Sequence, residues 1–489
     1  MAPPDEQQPS HQPLDGEPTT ITREAWLALT VTTLAFFLVV IDVSAVNVAF
    51  PSISADFGVS EASLSWIISG YNVTVGSLLL VAGRLADSLG RKRLFLPGVV
   101  VFLVGSLCSA VAPSAGLLIA ARVLQAFGGA VISPTALAVV LPEFPAARRS
   151  MAIGLAGATG SLGGVAGPAL GSAIIDLWSW RGIFWINVPL CLLVLALGPR
   201  LLRESKNPAA SGRIDLLGVP LGTTAIGLIM LAIVQSESWG VTDPRAIALF
   251  VAGLALIPVL IRRSARHPEP LLELELFRFP SFRSTNAGVA FYSLAFTSGF
   301  LVNSLFLQEL WDLPIATVGK ALVPAPLLAA VVSPLSGRLA DRVGHRWILA
   351  GGSLSCALGY GLYTQVLGDQ PEVWGRYVPL SLFVGLGVGS TIATWSSAGL
   401  SDVPASRFGT ANATVRTTQQ VCYALGISIV VTVLAAGAGP DALDAYRRAW
   451  WFVAVAYVLA ALVIATTFPA GSSADRVAVA PPGGHRGRM

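Results

Sequence analysis

Asp42 and Arg122 are charged residues that lie inside long apolar stretches, residues 26–50 and 117–141. A charged side chain inside a bilayer is costly unless it has a partner or a task. A carboxylate in that setting can bind a proton in one conformation and pair with a guanidinium in another. The two residues therefore predict a proton-coupling site. The alternative is a static ion pair that holds two helices together.

The depths of the two residues allow them to meet. At about 1.5 Å per residue, Asp42 lies about 14 Å before the end of its stretch near Pro51. Arg122 lies about 8 Å after the start of its stretch near Leu117. Because a first helix ends and a fourth helix begins on the same side of a membrane, we expect the side chains to pair.

Transmembrane helices are the elements that must position this pair. Of the 489 residues, 54% are hydrophobic and 12% are charged, and the mean hydropathy is +0.70. Soluble folds of this length do not have that composition, and a bilayer core of about 30 Å requires about 20 apolar residues per helix. The sequence thus predicts an all-α membrane protein of fourteen transmembrane helices: 26–50, 63–83, 95–112, 117–141, 151–175, 182–199, 216–235, 245–261, 284–307, 318–337, 347–366, 377–400, 410–436 and 450–468.

Basic residues concentrate in alternate loops, such as 91–93 and 148–149, whereas the intervening loops carry mostly acids such as Asp56 and Glu372. By the positive-inside rule, the basic loops and both termini are predicted to be cytoplasmic. Only three of the 31 basic residues are lysines, which indicates a GC-rich bacterial genome. We therefore expect a multi-pass protein of the bacterial inner membrane.

A repeat divides the chain. The segment GRLADSLGRK at 83–92 recurs as GRLADRVGHR at 337–346, and FPAAR at 144–148 recurs as VPASR at 403–407. The repeat predicts two parallel six-helix bundles, 25–200 and 267–468, joined by a linker at 201–266 that contains two extra helices. The polar, proline-rich tails 1–24 and 469–489 are predicted to be disordered and cytoplasmic.

The two copies of the ten-residue repeat are candidates for a conformational switch. Glycines permit close helix approach and a tight turn, and an aspartate can cap the N-terminus of a neighbouring helix. A merely topogenic basic loop is the alternative, and the recurrence of the whole pattern argues against it. The switch residues are Gly83, Asp87, Gly90 and Arg91 in the first copy, and Gly337, Asp341 and Gly344 in the second.

The fifth predicted helix carries Gly163, Gly167 and Gly171 on one face, with Pro168 between them. Small residues at this spacing let two helices approach closely, and the proline cannot donate to the carbonyl of Gly164. We expect a deformable packing seam; ordinary membrane helix packing is the alternative.

Further polar residues within or beside the predicted helices are candidates for a substrate cavity, with interfacial anchoring as the alternative. They are Asn47, Gln125, Tyr292, Asn303, Glu309, Arg416, Gln419 and Gln420. Asp42 is the one acid deep in a predicted helix, so no second carboxylate is available for a cationic compound, which favours neutral or anionic cargo.

These motifs resemble the major facilitator superfamily, whose signature loop has the Gly-x-Leu-Ala-Asp-x-x-Gly-Arg-Lys form found at 83–92. Fourteen helices point to its drug/proton antiporter branch, and the segments at 41–51 and 180–189 are further matches. The resemblance, over residues 26–468, implies the major facilitator fold and proton coupling at Asp42 and Arg122. It also implies a seam in helix five that is associated with exporters.

The leading hypothesis is a proton-driven exporter of an amphipathic small molecule such as an antibiotic, working by alternating access without a cofactor. The alternatives are a proton-coupled uptake symporter or, from another class, a membrane-embedded enzyme or receptor. No Cys or His cluster indicates catalysis or a metal site, with His267 and His345 expected in polar loops, and no Walker sequence indicates ATP. We expect protons, the small-molecule substrate and lipid as partners, no nucleic acid, no enzymatic activity, and a monomer.

Overall fold

The computed structural model describes residues 20–59, 61–145, 148–206, 215–240, 242–268, 270–435 and 442–469, and these residues form helices and their connections. The tails at 1–19 and 470–489, which were predicted to be disordered, lie outside the described residues. The helices of the N-terminal half are α1 (Arg23–Phe57), α2 (Glu61–Leu89), α3 (Arg91–Ala110), α4 (Ala115–Val140), α5 (Arg149–Leu177), α6 (Gly182–Trp185) and α7 (Asn187–Leu201). Those that follow are α8 (Gly218–Trp239), α9 (Pro244–Ser264), α10 (Pro280–Leu305), α11 (Ile315–Leu322), α12 (Pro324–Val343), α13 (His345–Val366), α14 (Val378–Leu400), α15 (Phe408–Ala435) and α16 (Ala442–Thr467).

Each of the fourteen predicted stretches contains a helix, and twelve helical segments of the described chain, with α6 and α7 counted as one, are long and apolar enough to cross a membrane by length and composition. Helices α5 and α13 are the two long ones outside that set, so the count of fourteen crossings stays a prediction. The predicted sixth span is divided into α6 and α7 at Ile186.

Helix α1 is longer than predicted at both ends. Thr22 caps its start, where the Thr22 hydroxyl accepts a hydrogen bond from the amide of Ala25 at 3.1 Å. Arg23 and Glu24, predicted to belong to the tail, are therefore helical. The helix ends only at Gly58, whose φ of +61° provides the left-handed C-cap. Since polar residues after Pro51 do not break a helix, the apolar stretch alone marked the wrong end.

The two halves repeat the same helix contacts. Helix α1 packs on α5 as α10 packs on α15, α3 on α4 as α13 on α14, and α2 on α4 as α12 on α14. Across the halves, α2 packs on α15 and α5 on α12. Helix α8 lies against α2 and α15, and α9 packs on α8. The extra pair is thus a hairpin on one side of the junction between the halves.

The turns of the repeat have the same geometry in both halves. Gly90 (φ +118°) separates α2 from α3, and Gly344 (φ +88°) separates α12 from α13. The amide of Arg148 donates to the carbonyl of Pro145 at 2.8 Å, as the amide of Arg407 donates to that of Pro404 at 2.9 Å. We call the end of the molecule that contains these four turns the basic end. His345, expected in a loop, is instead the first residue of α13 and is buried.

Candidate functional site

Asp42 and Arg122 form an ion pair in the interior of the N-terminal half. The Arg122 Nη1 atom lies 2.5 Å from Asp42 Oδ2, and each residue is only 1% exposed. Helices α1 and α4 therefore bring together the two charges whose predicted depths allowed contact. Each charge of such a desolvated pair needs the other, because removing either partner leaves an uncompensated buried charge.

Two amide side chains complete the coordination of the Asp42 carboxylate. Gln125, one turn after Arg122 on α4, donates from Nε2 to Asp42 Oδ1 at 2.9 Å and accepts from Arg122 Nη1 at 2.7 Å. Asn187 donates from Nδ2 to Asp42 Oδ1 at 3.0 Å and also to the Ser106 hydroxyl at 3.0 Å. All these donors point at the ionised form of the carboxylate, so a proton on Asp42 must displace or rearrange one of them.

Aromatic rings enclose the guanidinium. Arg122 Cζ lies 4.2 Å from the centre of the Tyr71 ring and 5.8 Å from that of Phe184. A cation over a ring face is stabilised by the ring quadrupole. A small cleft between α1, α5 and α6–α7 reaches Asp42 from the other side, past Ala45, Gly171 and Ile174.

Sequence reasoning did not single out Asn187, Ser106 or Tyr71. Asn187 lies in the matched segment 180–189, yet only the break at Ile186 turns it, as the first residue of α7, toward Asp42. Its place in the matched segment was the available signal, and its contact with Asp42 becomes visible only in the structure.

Asp87, in the first copy of the repeat, caps helix α15 of the opposite half. Its Oδ1 accepts from the amide of Gly409 at 3.1 Å and its Oδ2 from the amide of Thr410 at 2.6 Å. Arg91 holds the same carboxylate through Nη2 at 2.8 Å and donates to the carbonyl of Ala138 at 3.1 Å. A carboxylate at a helix N-terminus satisfies free amides and complements the helix dipole.

Gly83 permits this contact. A β-carbon built at Gly83 would overlap Ala413 and the carbonyl of Gly409. Further contacts that join the halves at the basic end are the Asn412 Nδ2 donation to the carbonyl of Pro134 at 3.2 Å and the Ser333 hydroxyl donation to the carbonyl of Gly154 at 3.1 Å. The structure is therefore closed between the halves at this end. Gly337 lies within α12 and Asp341 three residues before Gly344, and the side chain of Asp341 lies outside the described part.

An ion cluster that the sequence did not reveal lies beside the first copy. Glu273, in the segment after α9, pairs with Arg84 of α2 and lies 3.5 Å from Arg407 Nε. Arg407 also donates from Nη1 to Glu275 at 2.8 Å, which lowers the pKa of the Glu275 carboxyl. The connection after the extra hairpin thus bridges the two halves.

The small-residue face of α5 packs closely against α1. A β-carbon at Gly167 would overlap that of Ser44, whereas one at Gly163 would lie 3.2 Å from Val40 and one at Gly171 would lie 3.3 Å from Ala45. Helix α5 is continuous through Pro168. The predicted seam is therefore the contact that places α1, and with it Asp42, against α5.

The eight cavity candidates do not form one wall in this structure. Gln125 belongs to the Asp42 cluster, and Tyr292 is fully buried in the C-terminal half. Near the far end of α10, Asn303 accepts from Trp450 Nε1 at 2.9 Å and Glu309 accepts from the Tyr446 hydroxyl at 3.2 Å. The physical reason is that hydrogen-bonding partners inside a bundle draw polar side chains away from the central junction.

The other candidates lie at the surface or near the junction. Asn47 is exposed on α1. Gln420 approaches Gly76 of α2, and Arg416 donates from Nη1 to Gln419 Oε1 at 3.3 Å. The described residues contain no cluster of three metal-binding side chains, and the four cysteines are free.

Two solved structures share the fold. The chain resembles the human organic anion transporter MFSD10 (TETRAN), with a TM-score of 0.67 and 16% identity, over 91% of this chain and 100% of that one. It likewise resembles a double-tryptophan mutant of XylE, with a TM-score of 0.66 and 15% identity, over 92% and 96% of the two chains.

Several relatives are bacterial resistance or export proteins. The Multidrug resistance protein Stp of Mycobacterium tuberculosis is 33% identical over 92% of this chain and 83% of its own length. The Puromycin resistance protein pur8 of Streptomyces alboniger is 33% identical, over 83% and 81%. The Cephamycin export protein CmcT of Amycolatopsis lactamdurans is 32% identical, over 92% and 94%.

The Major Facilitator Superfamily model matches residues 32–427. The chain belongs to this superfamily, and it is a multi-pass membrane transporter of small molecules rather than an enzyme.

Proposed function

We propose that the protein is a proton-coupled exporter, a drug/proton antiporter that moves an amphipathic small molecule by alternating access. The observation that carries the proposal is the buried Asp42–Arg122 pair with its two amide partners. Relatives named for multidrug resistance, puromycin resistance and cephamycin export support the efflux of an antibiotic-like compound.

Protonation of Asp42 is the step that couples the gradient to conformation. The ionised carboxylate is held by one guanidinium and two amide donors, which fix α1 against α4 and α7. A proton removes the charge that these donors bind, so the attraction to Arg122 is lost and the helices are released to move. Loss of the proton restores the pair and the starting arrangement. No cofactor is needed, because the proton gradient supplies the free energy.

The Asp87 contact is the gate of the same cycle. If the basic end faces the cytoplasm, as the loop charges predict, the structure is closed toward the cytoplasm by the cap on α15 and by Gly83. Opening this side requires Asp87 to leave the two amides. The same orientation, in a bacterial inner membrane, directs protons inward and substrate outward.

Inverted membrane vesicles with an imposed acidic interior test the proposal. A panel of amphipathic antibiotics is added, and discharge of the pH gradient is followed with a pH-sensitive dye. We expect one or more compounds to discharge the gradient with the native protein and none to do so with Asp42→Asn, since an amide cannot carry the proton.

Asp56→Asn is the matched control, because Asp56 is an acid on the same helix that pairs with Arg181 at 2.7 Å and, unlike Asp42, is exposed. This variant should discharge the gradient as the native protein does. Equal discharge by Asp42→Asn would place proton coupling elsewhere. A nutrient that enters cells together with protons, with no compound discharging the vesicles, would favour the uptake alternative.

A further inference from the structure

Arg416 is a guanidinium at the junction of the two halves that no carboxylate neutralises among the described residues. Its Nε atom has no hydrogen-bond partner there, and its Nη1 makes one long bond of 3.3 Å to Gln419 Oε1. The Arg416 Cζ atom lies 5.4 Å from the centre of the Phe36 ring on α1. The charge therefore faces the opposite half across the junction.

The two most buried arginines of the described chain are each paired with a carboxylate. Arg122 binds Asp42 at 2.5 Å, and Arg91 binds Asp87 at 2.8 Å. Arg416 lies eight residues into α15, about 12 Å along the helix axis, where an uncompensated charge is costly. Such a charge is retained where a ligand of opposite sign neutralises it.

Neighbouring groups on α15 complete a recognition surface. Gln419 is 1% exposed, and its Nε2 donor has no partner among the described residues. Arg416, Gln419 and Tyr423 follow one another at helical spacing on one face. The Tyr423 ring lies 5.8 Å from that of Phe296 on α10, so an apolar surface adjoins the donors.

We infer that Arg416 and Gln419 bind the carboxylate of the transported compound, so the cargo is an amphipathic anion. The guanidinium supplies two parallel N–H donors that match a carboxylate, the Gln419 amide supplies a third, and Phe36 with Tyr423 contacts the apolar body. The inference rests on the proposed export function, which leaves the charge of the cargo open. It assigns that charge and the residues that recognise it.

Three dansyl probes that differ in charge test the inference on the purified full-length protein. Dansylglycine is an anion, dansylglycinamide is neutral and dansylcadaverine is a cation, and energy transfer from tryptophan to dansyl reports binding to each. We expect the native protein to bind dansylglycine about tenfold more tightly than dansylglycinamide, and dansylcadaverine most weakly. In Arg416→Gln the anion preference should fall to about twofold or less.

Arg416→Lys and Gln419→Ala extend the test to cases where Arg416→Gln does not fold. Lysine keeps the charge without the fork of donors, so a preference of a few-fold should remain, and Gln419→Ala should lower it in the same way. Arg245→Gln, at an exposed arginine near Trp239, should keep the native preference. Equal affinities in the native protein, or an unchanged preference in the Arg416 and Gln419 variants, would overturn the inference.

Binding and proton movement separate this inference from the function it rests on. An anion preference that depends on Arg416, without any compound that discharges the vesicles, contradicts the exporter and not the site. Discharge that depends on Asp42 but is driven by cations alone supports the exporter and overturns the site.

Discussion

The two halves of the transporter share a scaffold and differ in the chemistry of its centre. Gly167 of α5 packs on Ser44 of α1, and Gly426 of α15 packs on Leu294 of α10 in the same way. Asp42 lies two residues before Ser44 in one half, and Tyr292 lies two residues before Leu294 in the other. The same position in the fold thus holds an ion-paired carboxylate on one side and a phenol on the other.

The partner of the carboxylate is replaced as well. The offset that relates Gly167 to Gly426 and Arg148 to Arg407 places Ser381 at the position of Arg122. Tyr292 instead lies 5.5 Å from Trp395 and 5.3 Å from Tyr457, measured between ring centres. Glycines and turns therefore maintain the symmetry, and a few substitutions at the centre place a buried ion pair in the N-terminal half and packed aromatic rings at the equivalent position of the other half.

The largest expected effect comes from breaking the charge pair that distinguishes the N-terminal half. Arg122→Gln leaves the Asp42 carboxylate buried without its cation, so the free energy of unfolding should fall by about 3–5 kcal/mol. Adding Asp42→Asn removes the stranded charge and should recover most of that loss. Unfolding of the purified proteins in mixed detergent and SDS micelles measures both.

Tyr292→Phe at the equivalent position is the control. It removes no charge, so its free energy of unfolding should change by about 1 kcal/mol or less. A double variant no more stable than Arg122→Gln would show that the ion pair is not what the N-terminal half depends on.

The seam provides a test of the shared scaffold. Gly167→Ala forces α5 from Ser44, and Gly426→Ala forces α15 from the carbonyl of Leu294, so each should lower the free energy of unfolding by about 1–3 kcal/mol. At Gly171 the nearest atoms would lie 3.3 Å from an added methyl group, and Gly171→Ala should cost less. The same unfolding measurement ranks the three variants, and equal values would contradict the close approach.

The Asp87 cap tests the gate between the halves. Asp87→Asn keeps an oxygen that can accept from one amide of α15 but removes the negative charge that faces the helix terminus and Arg91. A charge at a helix terminus typically stabilises by about 0.3–1 kcal/mol, so the ratio of closed to open basic end should fall by about two- to fivefold. Distances between spin labels on α3 and α14 at the basic end report this ratio. Asp176→Asn, an exposed acid near the other end of α5, should leave the distances unchanged. A native distance distribution in Asp87→Asn would mean that Asp87 does not hold the gate.

Most of the scaffold could be predicted from the sequence, because the length of each apolar stretch, the repeated segments and the glycine positions can each be read from residues that are close together in the chain. The Asp42–Arg122 contact could be anticipated from depth along two helices. Asn187 could not, since its position depends on the break at Ile186, and neither could the Glu273 cluster, which joins segments far apart in the chain. Likewise, nothing in the sequence shows that Gln125 bonds Asp42, or that Arg416 has no carboxylate partner within the described part of the chain, because both depend on which way a helix face is turned.

The smallest expected effect concerns turn residues that occupy equivalent places and have different partners. Arg148 is exposed, whereas the partly buried Arg407 holds the exposed Glu275 at 2.8 Å. Arg407 lowers the pKa of Glu275, so the pair contributes to the closed basic end above the ordinary glutamate pKa of 4.5 and loses that contribution as the pH falls through the lowered value. At pH 7, Glu275→Gln should weaken closure by about 0–1 kcal/mol, seen as a small shift in the same spin-label distances, and the difference from the native protein should vanish in acid. A difference that persists at a pH where Glu275 is protonated would assign the effect of the glutamine to packing and not to charge.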